Sequence, residues 1–165
     1  MANIRYATIN DLAAIVKIYN ASIPSRMATA DLKPVSVNSR RGWFELHSPT
    51  KHPIWVIEVN DIVAGWLSFQ SFYGRSAYDG TAELSIYIAS EHHRQGLAKQ
   101  LLGKAVKYAP NLGLQSLLAF IFGHNHPSLN LFTQFGFQTW GRLPRVALMD
   151  GIEYDLVIMG LRVDS

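Results

Sequence analysis

The sequence predicts an α/β (α+β) fold: a mixed sheet with helices on both faces. Three observations lead there. Segments of period two and of period 3.6 follow one another along the chain. A strand, a helix and a second strand fill residues 81–122, which requires a parallel pair with a right-handed crossover. Asn60-Asp61 separates two apolar runs and marks a tight hairpin, so some neighbours are antiparallel.

The first strand is read at Ile4–Thr8. A helix follows over Asn10–Ile23, capped by Asn10 or Thr8, with Leu12, Ile15, Val16 and Tyr19 on one face. Residues 25–34, "SRMATADLKP", are a loop. A second helix is expected over Ser36–His47, with Trp43, Phe44 and Leu46 inward. "IWVIEV" and "IVAGWLSFQSF" are the arms of the hairpin. After the loop "GRSAYDGT", the strand "AELSIYIA" sets Leu84, Ile86 and Ile88 on one face and Glu83, Ser85 and Tyr87 on the other. The next helix ends at Pro110, because proline cannot continue it. "QSLLAFIF" is a strand, "HPSLNLFTQF" a short helix, and "FQTWGRL" and "YDLVIMGLRV" are the last strands. No repeat, linker or low-complexity tract interrupts residues 1–165, so one domain is expected.

Apolar residues make up 48% of the chain and charged residues 16%, a globular composition. No apolar run reaches membrane-spanning length, and the first residues lack the basic start and apolar core of a signal peptide. Cysteine is absent, which excludes disulfides, a thiol nucleophile and thiolate metal ligands. The cytoplasm is the expected location. The net charge of +3 is scattered rather than gathered on one face, so a small anionic ligand suits it better than nucleic acid.

The segment "EHHRQGLAKQLL", Glu91–Leu102, begins a helix with bare backbone and positive charge. A helix start presents unpaired N–H groups and the positive end of the dipole, which together hold an anion. Gly96 lets a ligand approach the backbone, and Arg94 can add a charge-assisted bond to a phosphate. The spacing is neither a Walker loop nor a dinucleotide fingerprint. A plain glycine helix start with a solvated arginine is the competing reading.

The run "ELSIYIASEHHRQGLAKQLLGKAV", followed by "HNHPSLNLFTQFGF", resembles the two signature segments of the GNAT superfamily of N-acetyltransferases. The family's phosphate loop, Q/R-x-x-G-x-G/A, falls on His93-Arg94-Gln95-Gly96-Leu97-Ala98, with His in place of the first Gln or Arg. The segments "IYNASIPSRMATADL", "SRRGWF", "VAGWLSFQSFYGR" and "TAELSIYI" are similar to the phosphinothricin acetyltransferases. Those enzymes acetylate the α-amino group of phosphinothricin, methionine sulfoximine or methionine sulfone. The resemblance covers essentially the whole chain and implies a mostly antiparallel central sheet, a homodimer, and acetyl-CoA as cosubstrate without a metal.

Several roles follow from the resemblance. Backbone groups of Ile86, Tyr87 and Ile88 would hold the pantetheine arm. The N–H groups of Arg94, Gln95, Gly96, Leu97, Ala98 and Lys99 would hold the pyrophosphate. Asn125 would touch the arm, with Ser128 one turn on; a helix cap is the simpler reading of that pair. Glu83 is the expected base, since an ammonium must lose a proton before it can attack. An ordinary carboxyl, with a pKa of about 4.3, is weak for that, so burial or a bridging water is needed. A strand-edge Glu paired with a surface Lys is the alternative. The N–H of Ile86 or Tyr87 would face the thioester oxygen. A tyrosine that protonates the leaving sulfur in many relatives is matched here by Phe132, which has no proton to give.

The substrate is expected to be read by Phe72, Tyr73, Arg75, Ser76 and Tyr78, with Met27, Ala28 and Thr29 as the opposite wall. Arg75 can grip an α-carboxylate with two parallel bonds. His92, His93, His124 and His126 lack a third ligand at a metal-binding spacing and read as surface or cap residues. The four tryptophans read as core. Two other functions stay open: acetylation of a protein amine, and a non-catalytic acyl-CoA-binding module.

Overall fold

The structure, a computed structural model, describes residues 1–164. Seven strands form one sheet in the order β1-β2-β3-β4-β5-β7-β6. They are β1 Ala2–Tyr6, β2 Ile54–Val59, β3 Ile62–Ser71, β4 Thr81–Ile88, β5 Ser116–Phe122, β6 Gln138–Met149 and β7 Ile152–Arg162. The helices are α1 Leu12–Ser22, α2 Val37–Glu45, α3 Leu97–Tyr108 and α4 His126–Gln134. Every neighbouring pair is antiparallel except β4 and β5, which α3 connects as a crossover. The mostly antiparallel sheet with helices on both faces is thus confirmed. No helix among the described residues is long and apolar enough to cross a membrane.

Strand alternation sends the two faces to different cores. Trp55, Ile57, Leu67, Phe69, Ala82 and Leu84 pack beneath α3 with Leu97, Leu101 and Leu102. Ile54, Val56 and Trp66 point the other way, against Ile15, Ile18, Tyr19 and Ile23 of α1 and its end. The Trp66 indole N–H donates to the Ile15 carbonyl at 3.1 Å, which ties β3 to α1. At the N-terminus Asp11 accepts from the Thr8 N–H at 2.7 Å and from both arms of the Arg5 guanidinium at 2.8 and 2.9 Å.

Some expected boundaries move. β1 lies two residues earlier than Ile4–Thr8, because Thr8 serves as the extended residue before a helical turn at Ile9–Asp11. Leu46, expected inward, follows α2 and is exposed, while Trp43 and Phe44 do pack inward. Trp140, expected in the core, is half-exposed on the edge strand β6, its ring lying over Gly160. β6 runs six residues beyond Leu143 and turns back at Asp150-Gly151. Both turn residues have positive φ (53° and 79°), the requirement of a tight hairpin whose twist matches its strands.

Candidate active site

The site is built on the α1 and α2 face of β3 and β4. Register pairs Trp66 with Tyr87, Ser68 with Ser85, and Gln70 with Glu83. Directly opposed residues share a face, so these three rungs form a strip that is aromatic at one end and polar at the other. A cavity of about 250 Å³ lies over the strip, lined by Tyr19, Arg40, Trp43, Trp66, Ser68, Gln70, Ser85 and Tyr87. Trp66 stacks on Tyr87 at 4.9 Å between ring centroids, and Tyr19 meets Tyr87 edge-on at 5.1 Å. These contacts fix the aromatic end.

Glu83 stands across from Gln70, where the cavity ends. It is half-buried, and no hydrogen bond or ion pair among the described residues compensates its charge. Desolvation therefore raises its pKa above the ordinary carboxyl value. The alternative of a surface Glu–Lys pair is not observed. A carboxyl so placed is a better proton acceptor than one in water, which is the property a general base needs.

Beside Glu83 the sheet opens. β4 and β5 pair through Thr81–Ser116, Ala82–Leu117 and Glu83–Leu118, and no further. β4 continues to Ile88 and β5 to Phe122, each still paired on its other side. Alternate backbone groups of β4 past Leu84 therefore face a cleft rather than a strand. At its far end lies the loop that precedes α3. Arg94 and Gly96 both take positive φ (63° and 75°), and no protein group among the described residues accepts from the N–H groups of Arg94 to Lys99. A Cβ on Gly96 would meet no atom within 4 Å, so open space lies over the loop. His93, at the departure from the family pattern, turns its Nε2 to the Ile88 carbonyl at 2.9 Å and ties the loop to β4. Free donors, the helix dipole and room above them fit a pyrophosphate, and the unpaired edge of β4 fits an extended amide-bearing arm.

The loop after α1 bridges this cleft. Three successive carbonyls accept hydrogen bonds: Arg26 from His124 Nε2 at 2.9 Å, Met27 from Asn125 Nδ2 at 3.1 Å, and Ala28 from the Tyr87 hydroxyl at 3.1 Å. The donors come from both sides of the opening, Tyr87 from β4 and the other two from the turn after β5. Arg26 also pairs with Asp150 at 2.9 Å. Farther along, the Tyr19 hydroxyl meets Thr29 and Asp31, and burial lifts its pKa to about 12.

The acetyltransferase (GNAT) family profile matches residues 14–137. The chain belongs to that family. GNAT enzymes are acetyl-CoA-dependent, and the open cleft and free N–H loop meet that requirement. A Bacillus subtilis (strain 168) protein, YwnH, whose name assigns it to the phosphinothricin acetyltransferases, is 51% identical over 158 residues, 95% of this chain and 96% of the relative. An L-methionine sulfoximine/L-methionine sulfone acetyltransferase of Salmonella typhimurium is 30% identical over 162 residues, 98% of this chain and 95% of that one. The crystal structure of a phosphinothricin acetyltransferase from Sinorhizobium meliloti in complex with acetyl-CoA superposes with a TM-score of 0.93, at 28% identity, over 98% of this chain and 88% of that one.

The expected residues of this GNAT acetyltransferase fall into five groups. Glu83, Ile86, Tyr87 and Ile88 line up along the opened strand, and Arg94–Lys99 form the loop at its end. Met27 and Ala28 cross the cleft. Asn125 caps α4 by accepting from the Ser128 N–H at 3.3 Å while its amide donates to the Met27 carbonyl. Phe72, Tyr73, Arg75, Ser76 and Tyr78 lie past the Gln70 end, and none of them lines the cavity. There Phe72, Tyr73 and Tyr78 form an aromatic cluster with centroids 4.4 to 5.9 Å apart. Phe132 is buried edge-on against Phe137 at 5.0 Å. Sequence reasoning missed Tyr19, Arg40, Trp43, Trp66, Ser68, Gln70 and Ser85. The antiparallel register of β3 and β4 sets Trp66 beside Tyr87, Ser68 beside Ser85 and Gln70 beside Glu83, and the position of α2 closes the space above them.

Proposed function

We propose that this GNAT enzyme transfers an acetyl group to the α-amino group of a small amino-acid analogue: phosphinothricin, methionine sulfoximine or methionine sulfone. The observation that carries this reading is Glu83, a desolvated and uncompensated carboxyl at the junction of a cavity and an open strand edge. A cavity of about 250 Å³ suits an amino acid better than a peptide. The names of the relatives point to the same substrates.

Acetyl-CoA supplies a thioester acetyl group. Arg94, Gln95, Gly96, Leu97, Ala98 and Lys99 hold the pyrophosphate through backbone N–H groups, with Arg94 adding charge. Ile86, Tyr87 and Ile88 offer the strand edge to the arm, and the N–H of Ile86 or Tyr87 donates to the carbonyl oxygen as charge develops there. Glu83 takes the proton from the acceptor ammonium, directly or through one water. Arg75, with Ser76, Phe72 and Tyr73 around it, receives the α-carboxylate beyond the Gln70 end, while Met27 and Ala28 close the opposite side. Phe132 provides no acid, and none is required: a thiol with a pKa of about 8.5 leaves tolerably as thiolate.

A homodimer and a cytoplasmic location belong to the same reading, in one domain. The dimer is supported by the β6–β7 hairpin at the outer edge of the sheet, where Trp140, Leu143, Val146, Leu148 and Ile152 are each exposed. Sedimentation of the wild-type protein checks it.

Thiol release from acetyl-CoA tests the function, run against phosphinothricin, methionine sulfoximine, methionine sulfone, the common amino acids and a lysine peptide. Turnover with the first three, lost in Glu83→Gln with acetyl-CoA binding intact, supports the reading. Turnover of the peptide alone replaces it with a protein acetyltransferase. Cofactor binding without any turnover leaves a binding module.

A further inference from the structure

Arg40 is the charged residue of the cavity lining, and nothing in the mechanism above uses it. It rises from α2, and its guanidinium carbon lies 4.5 Å from the centre of the Trp43 ring and 5.6 Å from that of Tyr19. Among the described residues it has no carboxylate within ion-pair distance and makes no hydrogen bond. Asp31, which is engaged by the Tyr19 hydroxyl, makes no ion pair with Arg40. Aromatic faces hold a guanidinium by its flat surface and leave its N–H edge free. That edge presents donors in a fork that matches a pair of anionic oxygens. A half-buried cation without a counter-charge costs stability unless a ligand supplies one.

Its place in the cavity says which part of a ligand it meets. Trp43 touches Trp66 at 5.5 Å, and Tyr19 touches Tyr87 at 5.1 Å, so Arg40 belongs to the Trp66–Tyr87 rung. Glu83 belongs to the Gln70 rung, two rungs away along the same face. Side chains two residues apart on a strand are about 6.6 Å apart, so these two rungs are about 13 Å apart along β4. The Ser68–Ser85 rung lies between them and offers two hydroxyls to a chain that spans the gap.

Building on the proposed function, we infer that Arg40 receives the oxygen-bearing tail of the acceptor and selects for negative charge there. The amine lies at Glu83, the side chain runs past Ser68 and Ser85, and its terminal oxygens meet the guanidinium fork. A phosphinate satisfies the fork and supplies the missing charge. A sulfone gives oxygens without charge, and a methyl thioether gives neither. Arg40 is on this account a specificity residue, distinct from the group that holds the α-carboxylate.

The test uses acceptors with a common head and different tails: phosphinothricin, methionine sulfone and methionine. Full-length wild type, Arg40→Gln and Arg40→Lys are compared for kcat and KM, with binding of phosphinothricin followed by tryptophan fluorescence and folding checked by melting temperature. Loss of a charge-assisted pair should raise the KM for phosphinothricin in Arg40→Gln about ten- to a hundredfold, with kcat nearly kept. Methionine should change least, methionine sulfone should lie between, and Arg40→Lys should recover part of the loss. An equal effect on all three acceptors, or none, overturns the proposal, because a merely structural arginine does not distinguish tails. Wild-type protein that fails to bind phosphinothricin also overturns it. Wild-type protein that binds phosphinothricin through Arg40 without acetylating it leaves the tail site standing and refutes the catalytic reading instead.

Discussion

The Tyr87 hydroxyl donates to the Ala28 carbonyl at 3.1 Å and joins the open end of β4 to the loop after α1. Burial drives the Tyr87 pKa well above the ordinary tyrosine value, so the donor keeps its proton at any working pH. His124 Nε2 donates to the Arg26 carbonyl, since a carbonyl only accepts. His124 Nδ1 is buried and without a partner among the described residues. Tyr87→Phe and Asn125→Ala should each loosen the loop. Amide exchange at residues 27–31 should speed up, and KM for the acceptor should rise about five- to tenfold, as for one lost hydrogen bond. Unchanged exchange in both variants would show that the clasp does not hold the loop.

Glu83→Gln should lower kcat about a hundredfold or more, within the range for a lost general base. The wild-type rate should fall as pH drops through the raised Glu83 pKa, and that limb should vanish in the variant. Stability should move the other way. A carboxyl whose folded pKa is raised contributes stability below its unfolded value, and loses it as pH rises through the folded one. The Gln variant should therefore melt higher than wild type at neutral pH. A lower melting temperature there would mean that Glu83 has a favourable partner.

The phosphate loop can be probed without touching the chemistry. Gly96 sits at φ 75°, where a side chain costs about 1 kcal/mol, and a Cβ would stand in the space assigned to the ligand. Gly96→Ala should raise KM for acetyl-CoA about tenfold and leave kcat at saturation nearly unchanged. An unaltered KM would remove the backbone cradle from the account.

Asp11 gives a prediction far from the site. Its carboxylate is gripped by the Arg5 fork and the Thr8 N–H, and the Arg5 bonds hold its pKa below the usual value. Such a group stabilises the fold above its unfolded pKa of about 3.9, and that contribution is lost as pH falls through the lower folded value. Asp11→Asn should cost about 1–3 kcal/mol near neutrality. In urea unfolding, the gap between wild type and variant should close in acid. A gap independent of pH would assign the loss to packing instead.

What the sequence made legible follows from local rules. Period-two alternation in "AELSIYIA" placed Glu83, Ser85 and Tyr87 on one face, and Asn60-Asp61 announced the hairpin. β6 was cut short because its residues are exposed along nearly the whole strand, so no alternation marks it, and Pro144 reads as a break. Asp150-Gly151 was the available signal for the longer hairpin. Arg40 was hidden for another reason. Its neighbour Arg41 is exposed. Yet Arg40 lies three and four residues before Trp43 and Phe44, the spacing of a shared helix face. That spacing was visible; what the face packs against was not, because α2 meets the strip on β3 and β4 only through tertiary structure.

The parting of β4 from β5 also bears on how the protein avoids its own kind. A free strand edge on the outside of a sheet is a template on which other chains can add, and proteins usually blunt such edges with charge, proline or a bulge. Here the unpaired edge is interior. β5 stands across from it, and the Arg26–Ala28 loop is fastened over it from both banks. Another polypeptide would have to displace that loop before it could pair with the edge. The same backbone groups that would promote aggregation at a border are thus kept available for recognition, with access governed by the loop fastened above them.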